Sequence, residues 1–356
     1  MNRVVSFSLF LLFIGIVWIA CKRVDDEPQY PPTPISRLYL SYSDQESSDT
    51  QQLYNVEVFD PADGEELPAV QRTRTRPNQG MGITFSPDLG LVFQVSRLDT
   101  TIMSFAVSET GNLTPSRTFK DILFLSSPRS IRYDNRSDRL FITNDNADSA
   151  SLSIYYNPVR LVNQQPPTKK IRLSAAPWGL SIAAPKSSPN DSLVLLTMRG
   201  ETGQIWGFNK RSLIGGEQFV SADPDYTLTI NGASDLRGIA YARNLDMLFV
   251  TDLGPETNNA TADGKVYVIE NAAETIRAGG AITPSRIISG NQTTLADPSD
   301  VAVADSTDRN QFIYVSDRFN RRLLRFDIDA NRNVSPNANT LTKLTLTPEF
   351  IYLDVR

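Results

Sequence analysis

From residue 37 onward the chain alternates short apolar runs with polar turns, and Pro298–Asp327 shows the unit most compactly. Val301–Ala304 reads as a first strand. Gln311–Ser316 is an aromatic and β-branched second strand closed by Asp317, and Arg322–Phe326 a third. A meander this short cannot bury both of its faces, so it requires copies of itself. The copies are present. The second strand recurs as Val92–Ser96, Leu140–Asn144, Val194–Met198 and Leu248–Asp252. The apolar anchors of the first strand, Ile83, Ile131, Leu180, Ile239, Val301 and Ile351, are spaced by 48, 49, 59, 62 and 50 residues. A period near fifty with four strands per unit predicts a β-propeller.

The two ends of the chain predict how the ring shuts. Arg37–Tyr42 matches the second strand of the unit, not the first, and Tyr54–Phe59 follows as a third. The missing first strand stands at the other end, as Phe350–Val355. The expected fold is therefore all-β: a six-bladed propeller of four-stranded antiparallel blades over residues 37–356, with the C-terminal strand completing the N-terminal blade. Closure of this kind leaves no open radial edge. The longer segments Asn209–Asp225 and Gly254–Asp263 read as blade excursions able to cover a binding face.

Pro298–Phe326, with its Tyr-Val-Ser-Asp and Asp-Arg-Phe-Asn-Arg-Arg, resembles an NHL repeat, and Asp235–Glu270 is a looser match. The resemblance implies the six-bladed fold. It leaves function open, because such propellers host both hydrolases and pure binding modules.

Residues 1–20 have a basic start at Arg3 and an apolar run over Val4–Ile19, the pattern of a secretory signal peptide. Trp18-Ile19-Ala20-Cys21 resembles a bacterial lipobox, with Trp18 where Leu is usual. That resemblance implies cleavage before Cys21, lipidation of its thiol and anchorage in a membrane by acyl chains. Lys22 followed by Asp25-Asp26-Glu27 is similar to the surface-export signal of Bacteroidetes lipoproteins, which implies the outer membrane and a periplasmic or cell-surface position. The Pro-rich remainder of residues 21–36 reads as a stiff tether.

Composition narrows the chemistry. The net charge is −5 with no basic tract, which argues against nucleic acid as a partner. The chain has no histidine and a single cysteine, Cys21. Ser-His-Asp hydrolysis, His-ligated metals and thiolate nucleophiles are thereby excluded from residues 37–356. What remains is carboxylate and amide chemistry, an oxygen-ligated divalent cation, or arginine electrostatics.

The positions preceding the first strands are Met81, Arg129, Trp178, Arg237, Ser299 and Glu349. They are expected on the loops entering those strands, at the mouth of the central channel. Arginine grips carboxylate or phosphate and tryptophan stacks on a sugar or aliphatic face, so the six form a candidate recognition surface for a protein or glycan. The competing account is that exposed loop positions vary freely. The residues closing the second strands form another ring, in which Asn144, Asp252 and Asp317 either hydrogen-bond local amides or hold a divalent cation such as calcium. A cation there would resemble the gluconolactonase family of six-bladed hydrolases. Two functions are thus expected from sequence: a lipoprotein binding module without a cofactor, or a metal-dependent lactonase-like enzyme.

Overall fold

A computed structural model describes residues 34–47, 51–188, 190–200, 202–255, 263–305, 311–337 and 343–356. The signal segment, Cys21 and most of the tether lie outside these residues, as does most of the Gly254–Asp263 excursion. From Ile35 to Arg356 the chain is one compact unit.

Six sheets form six blades. Blade 1 runs outward as Pro348–Val355, Ser36–Tyr42, Val56–Phe59 and Ala69–Thr73. The predicted closure is present: Ser36 pairs with Val355 and Leu40 with Ile351 in an antiparallel ladder between the two ends of the chain. Blade 2 is Gly80–Ser86, Leu91–Ser96, Thr101–Val107 and Leu113–Lys120. The innermost strands of blades 3 to 6 are Pro128–Asp134, Pro177–Ala183, Leu236–Ala242 and Pro298–Val303. Each innermost strand packs on the next, and Pro348–Val355 packs on Gly80–Ser86, so the ring is continuous.

Blades 1, 2 and 5 have the expected four strands. Blades 3 and 4 carry a fifth, taken from the chain of the following blade. Phe219–Ser221, from the Asn209–Asp225 excursion, pairs parallel with Lys169–Arg172 on the edge of blade 3. Gly280–Ile282 does the same beside Tyr226–Ile230 of blade 4. The first of these excursions therefore extends a neighbour's sheet. Blade 6 has three strands among the described residues, and Lys343 bridges Arg322 of its third.

The core lies between blades. Leu38, Leu40 and Tyr42 of blade 1 are buried against Ala302, Tyr314 and Leu323 of blade 6. Leu180, Val194 and Leu196 of blade 4 meet Phe141, Leu152 and Ile154 of blade 3. Second strands such as Leu193–Met198 are buried along their whole length because blades cover both faces. At the channel the innermost strands approach so closely that the third residue is pinned. A Cβ at Gly179 would strike the Arg237 carbonyl, and one at Gly238 the Asp300 backbone.

Candidate functional site

The innermost strands begin about two residues earlier than the sequence pattern implies, which changes the setting of the predicted mouth residues. Met81, Arg129, Trp178, Arg237, Ser299 and Glu349 are each the second residue of an innermost strand, not loop residues. All six are buried. Arg129, Trp178, Arg237 and Met81 touch through their side chains, and Ser299 and Glu349 join them through backbone carbonyls, forming a plug across the start of the channel.

Trp178 is the centre of the plug. The Arg129 guanidinium lies 3.8 Å from its ring centroid and that of Arg237 lies 3.7 Å from it. Two cations at that distance from one ring occupy its opposite faces. The indole N–H crosses the channel from blade 4 to donate to the Ser299 carbonyl of blade 6 at 3.2 Å. The Ser299 hydroxyl donates in turn to the Glu349 carbonyl of blade 1 at 2.7 Å, and Arg129 rests 4.0 Å from the Met81 sulfur. Side chains from blades 2 to 5 thus meet in the channel and are tied through backbone carbonyls to blades 6 and 1, and an indole held between two guanidiniums gains cation–π attraction that is strong when desolvated.

Above the plug lies a ring that sequence reasoning missed. The residues just after the second strands are Ser43, Arg97, Asp145, Arg199, Leu253 and Arg318. Their equivalence is shown by one hydrogen bond repeated in every blade: each donates its amide to the carbonyl two residues before the plug residue, at Thr347, Gln79, Ser127, Ala176, Asp235 and Asp297 respectively. The signal was one position beyond the ring read from sequence. It was overlooked because strand ends mark the end of burial but not where a side chain points.

Charge is concentrated here. Asp145 is met by Arg97 at 3.1 Å, by Arg129 and by Arg199 at 3.5 Å. Burial raises the Asp145 pKa, but Arg129, the Ser127 hydroxyl and Arg97 outweigh it and hold the carboxyl below its ordinary value. Burial also draws Arg129 down to about 10, against the pull of Asp145 and Glu349. Arg237 is lowered by burial too, with Asp235 opposing. Arg318 is raised: burial depresses it, but Glu349 at 3.0 Å and Asp297 at 3.7 Å prevail.

The alternative metal ligands are not brought together. Asn144 accepts the amides of Ser126 and Ser127 and donates to the Ser151 and Ser153 hydroxyls. Asp252 accepts the amides of Ser234, Asp235 and Gly254 and the Tyr267 hydroxyl. Asp317 accepts those of Ala296, Asp297 and Asn320. Each ties its own blade's entry loop to the end of the second strand, so these oxygens are spent on local donors. Among the described residues no three His, Cys, Asp or Glu side chains stand close enough to hold a metal.

Beyond the plug the channel widens to a cavity of about 240 Å³ lined by the ends of the innermost strands, with Arg132, Tyr241 and Tyr352 in its wall. Asp300 lies buried near it, 3.7 Å from Arg132, and burial lifts its carboxyl to about 6.

No protein-family model matches the chain, and no curated protein does. Solved structures do. A putative 6-phosphogluconolactonase from Bacteroides uniformis superposes with a TM-score of 0.57 at 11% identity, over 90% of this chain and 99% of that one. The periplasmic gluconolactonase of Pseudomonas aeruginosa gives 0.53 at 13% identity over 90% and 99%. A chain of a nidogen/laminin complex gives 0.52 at 13% over 89% and 98%. A putative lactonase, a gluconolactonase and a nidogen/laminin complex match at similar TM-scores, so what this protein shares with all of them is the β-propeller fold.

Proposed function

We propose that the propeller is a non-catalytic binding module that engages a partner protein through the face around the plugged mouth. The observation that carries this reading is the plug itself. Trp178 between Arg129 and Arg237 fills the place where a small substrate would enter, and the carboxylates below the rim are committed to backbone amides. What the face presents outward suits a protein. Leu98 is 55% exposed, Leu123 66% and Phe319 52%, and they stand beside or near Arg97 and Arg318. Protein interfaces favour arginine with large apolar side chains. A bare polar groove would favour a glycan instead.

A lipid anchor at Cys21, with placement on the outer membrane, belongs to the same proposal and is supported by the lipobox-like sequence alone. Radiolabelled palmitate should be incorporated by the wild-type protein and not by Cys21→Ala.

Site-specific photo-crosslinking in the producing cell tests the binding face. A crosslinker at Leu98, Leu123 or Phe319 should trap one protein repeatedly, while one at Asp88, in the turn between the first two strands of blade 2 at the opposite face, should not. Equal trapping at Asp88, capture of glycan only, or turnover of a gluconolactone by the purified protein would each overturn the reading.

A further inference from the structure

Arg97, Asp145 and Arg199 occupy the rim above blades 2, 3 and 4. The Asp145 carboxylate is inaccessible and faces three guanidiniums, those of Arg97, Arg129 and Arg199. One carboxylate paired with three guanidiniums leaves positive charge in excess on this side, with Glu349 acting on Arg129 from farther off. Across the mouth the balance reverses, with Asp235, Asp297 and Glu349 around Arg237 and Arg318. The mouth is therefore electrically polar across its diameter. Two of the three cations reach the surface, since the Arg97 side chain is 28% exposed and that of Arg199 39%. Arg199 makes no side-chain hydrogen bond to a described residue; its contacts are the ion pair and the Trp178 ring at 5.4 Å. A half-desolvated guanidinium with unspent N–H groups, backed by an indole, is a strong receptor for a planar oxyanion.

We infer that Arg97 and Arg199, with Arg129 beneath them, form a carboxylate-receiving subsite for an acidic side chain of the partner protein. This deepens the binding reading and rests on it. The neighbours define the segment that fits. Leu98 follows Arg97, and the loop carrying Ile122 and Leu123 runs alongside, held by the Asp121 amide on the Thr100 carbonyl at 3.0 Å and by Arg97 on the Ser127 hydroxyl at 2.8 Å. Ile122 and Leu123 are 59% and 66% exposed. The matching ligand is an Asp or Glu flanked by apolar residues. The acidic far side of the mouth repels a second carboxylate and so fixes the ligand's direction.

Fluorescence anisotropy with the full chain and a short dye-labelled Leu/Glu peptide tests this. The peptide should bind, and a Leu/Gln version should bind at least about tenfold more weakly. Added salt should weaken the Glu peptide and leave the Gln peptide nearly unchanged. Arg199→Ala should reduce Glu-peptide binding by a similar factor; the side chain makes only a 3.5 Å ion pair and a 5.4 Å contact with the Trp178 ring, so the fold persists, and an unchanged melting temperature verifies it. Arg97→Lys should bind at an intermediate level, because the charge stays but the fork is lost. Equal binding of the two peptides, wild-type binding by Arg199→Ala, or no peptide binding overturns the subsite. If those failures occur while Leu98 still crosslinks to a partner, the binding module stands and only the subsite falls. Loss of crosslinking removes both.

Discussion

At the residue scale the protein is governed by Trp178. It is 2% exposed, sits between two arginines and spans the channel with one hydrogen bond. Trp178→Ala should destabilise the fold by about 3–5 kcal/mol, the usual cost of deleting a buried aromatic side chain. Trp178→Phe keeps a ring between the guanidiniums and loses the donor to Ser299, so its cost should be about 1–3 kcal/mol. Chemical denaturation followed by circular dichroism measures both; an alanine variant as stable as wild type would show that the plug is ornamental. Asp145→Asn should cost about 3–5 kcal/mol in the same assay, because it leaves the buried Arg129 without its carboxylate. The sequence exposed all six plug positions, since they keep a fixed offset from the first-strand anchors. Their burial was not legible, because a local pattern cannot tell a loop residue from one that is buried at the channel.

At the scale of elements, the second strand and the loop before the first strand form a clamp in each blade, and its chemistry differs. In blade 3 an amide serves, because Ser151 and Ser153 accept the Asn144 N–H groups. In blade 6 a carboxylate serves, and burial lifts Asp317 to about 6 despite three amide donors. The sign follows from linkage. A carboxyl raised from 3.8 stabilises fully below pH 3.8 and loses that contribution as the pH climbs through about 6. Asp317→Asn places an NH2 group against amide donors, a penalty that does not depend on pH. The total penalty should therefore be larger at pH 4 than at pH 7, by up to about 3 kcal/mol. Denaturant melts at both pH values check this, and a penalty that grows with pH would show the carboxyl to be held low instead. Inter-blade latches of the same region were half legible. Thr197 donates to the Arg237 carbonyl and Ser316 to that of Glu349, a job visible in sequence only as a hydroxyl before the strand's last residue.

For the whole molecule, stability belongs to the interfaces between blades, and closure turns them into one cooperative unit. Removing residues 348–356 deletes the innermost strand of blade 1, exposing Leu38 and Leu40 to solvent and leaving Ser299 without its carbonyl partner. The truncated protein should lose its single sharp thermal transition or melt well below wild type. A circular permutant with the native ends joined and new ends between two blades should melt near wild type; if the truncation melts there too, the terminal strand is not what shuts the ring.

The periodic apolar runs by themselves determined the number of blades, the strand count of half of them and the pairing of the two chain ends, because each depends on local alternation repeated at a long period. The absence of histidine fixed which chemistries are closed to the domain. Only the tertiary structure decided what the repeated positions do. Residues more than a hundred apart, such as Trp178 and Ser299, meet on the channel axis, and the arginine rim gains its meaning from Asp145 standing between Arg97 and Arg199. Ring closure brings these side chains together at a distance where a few ångströms separate a plug from an open mouth, and no pattern along the chain encodes that distance.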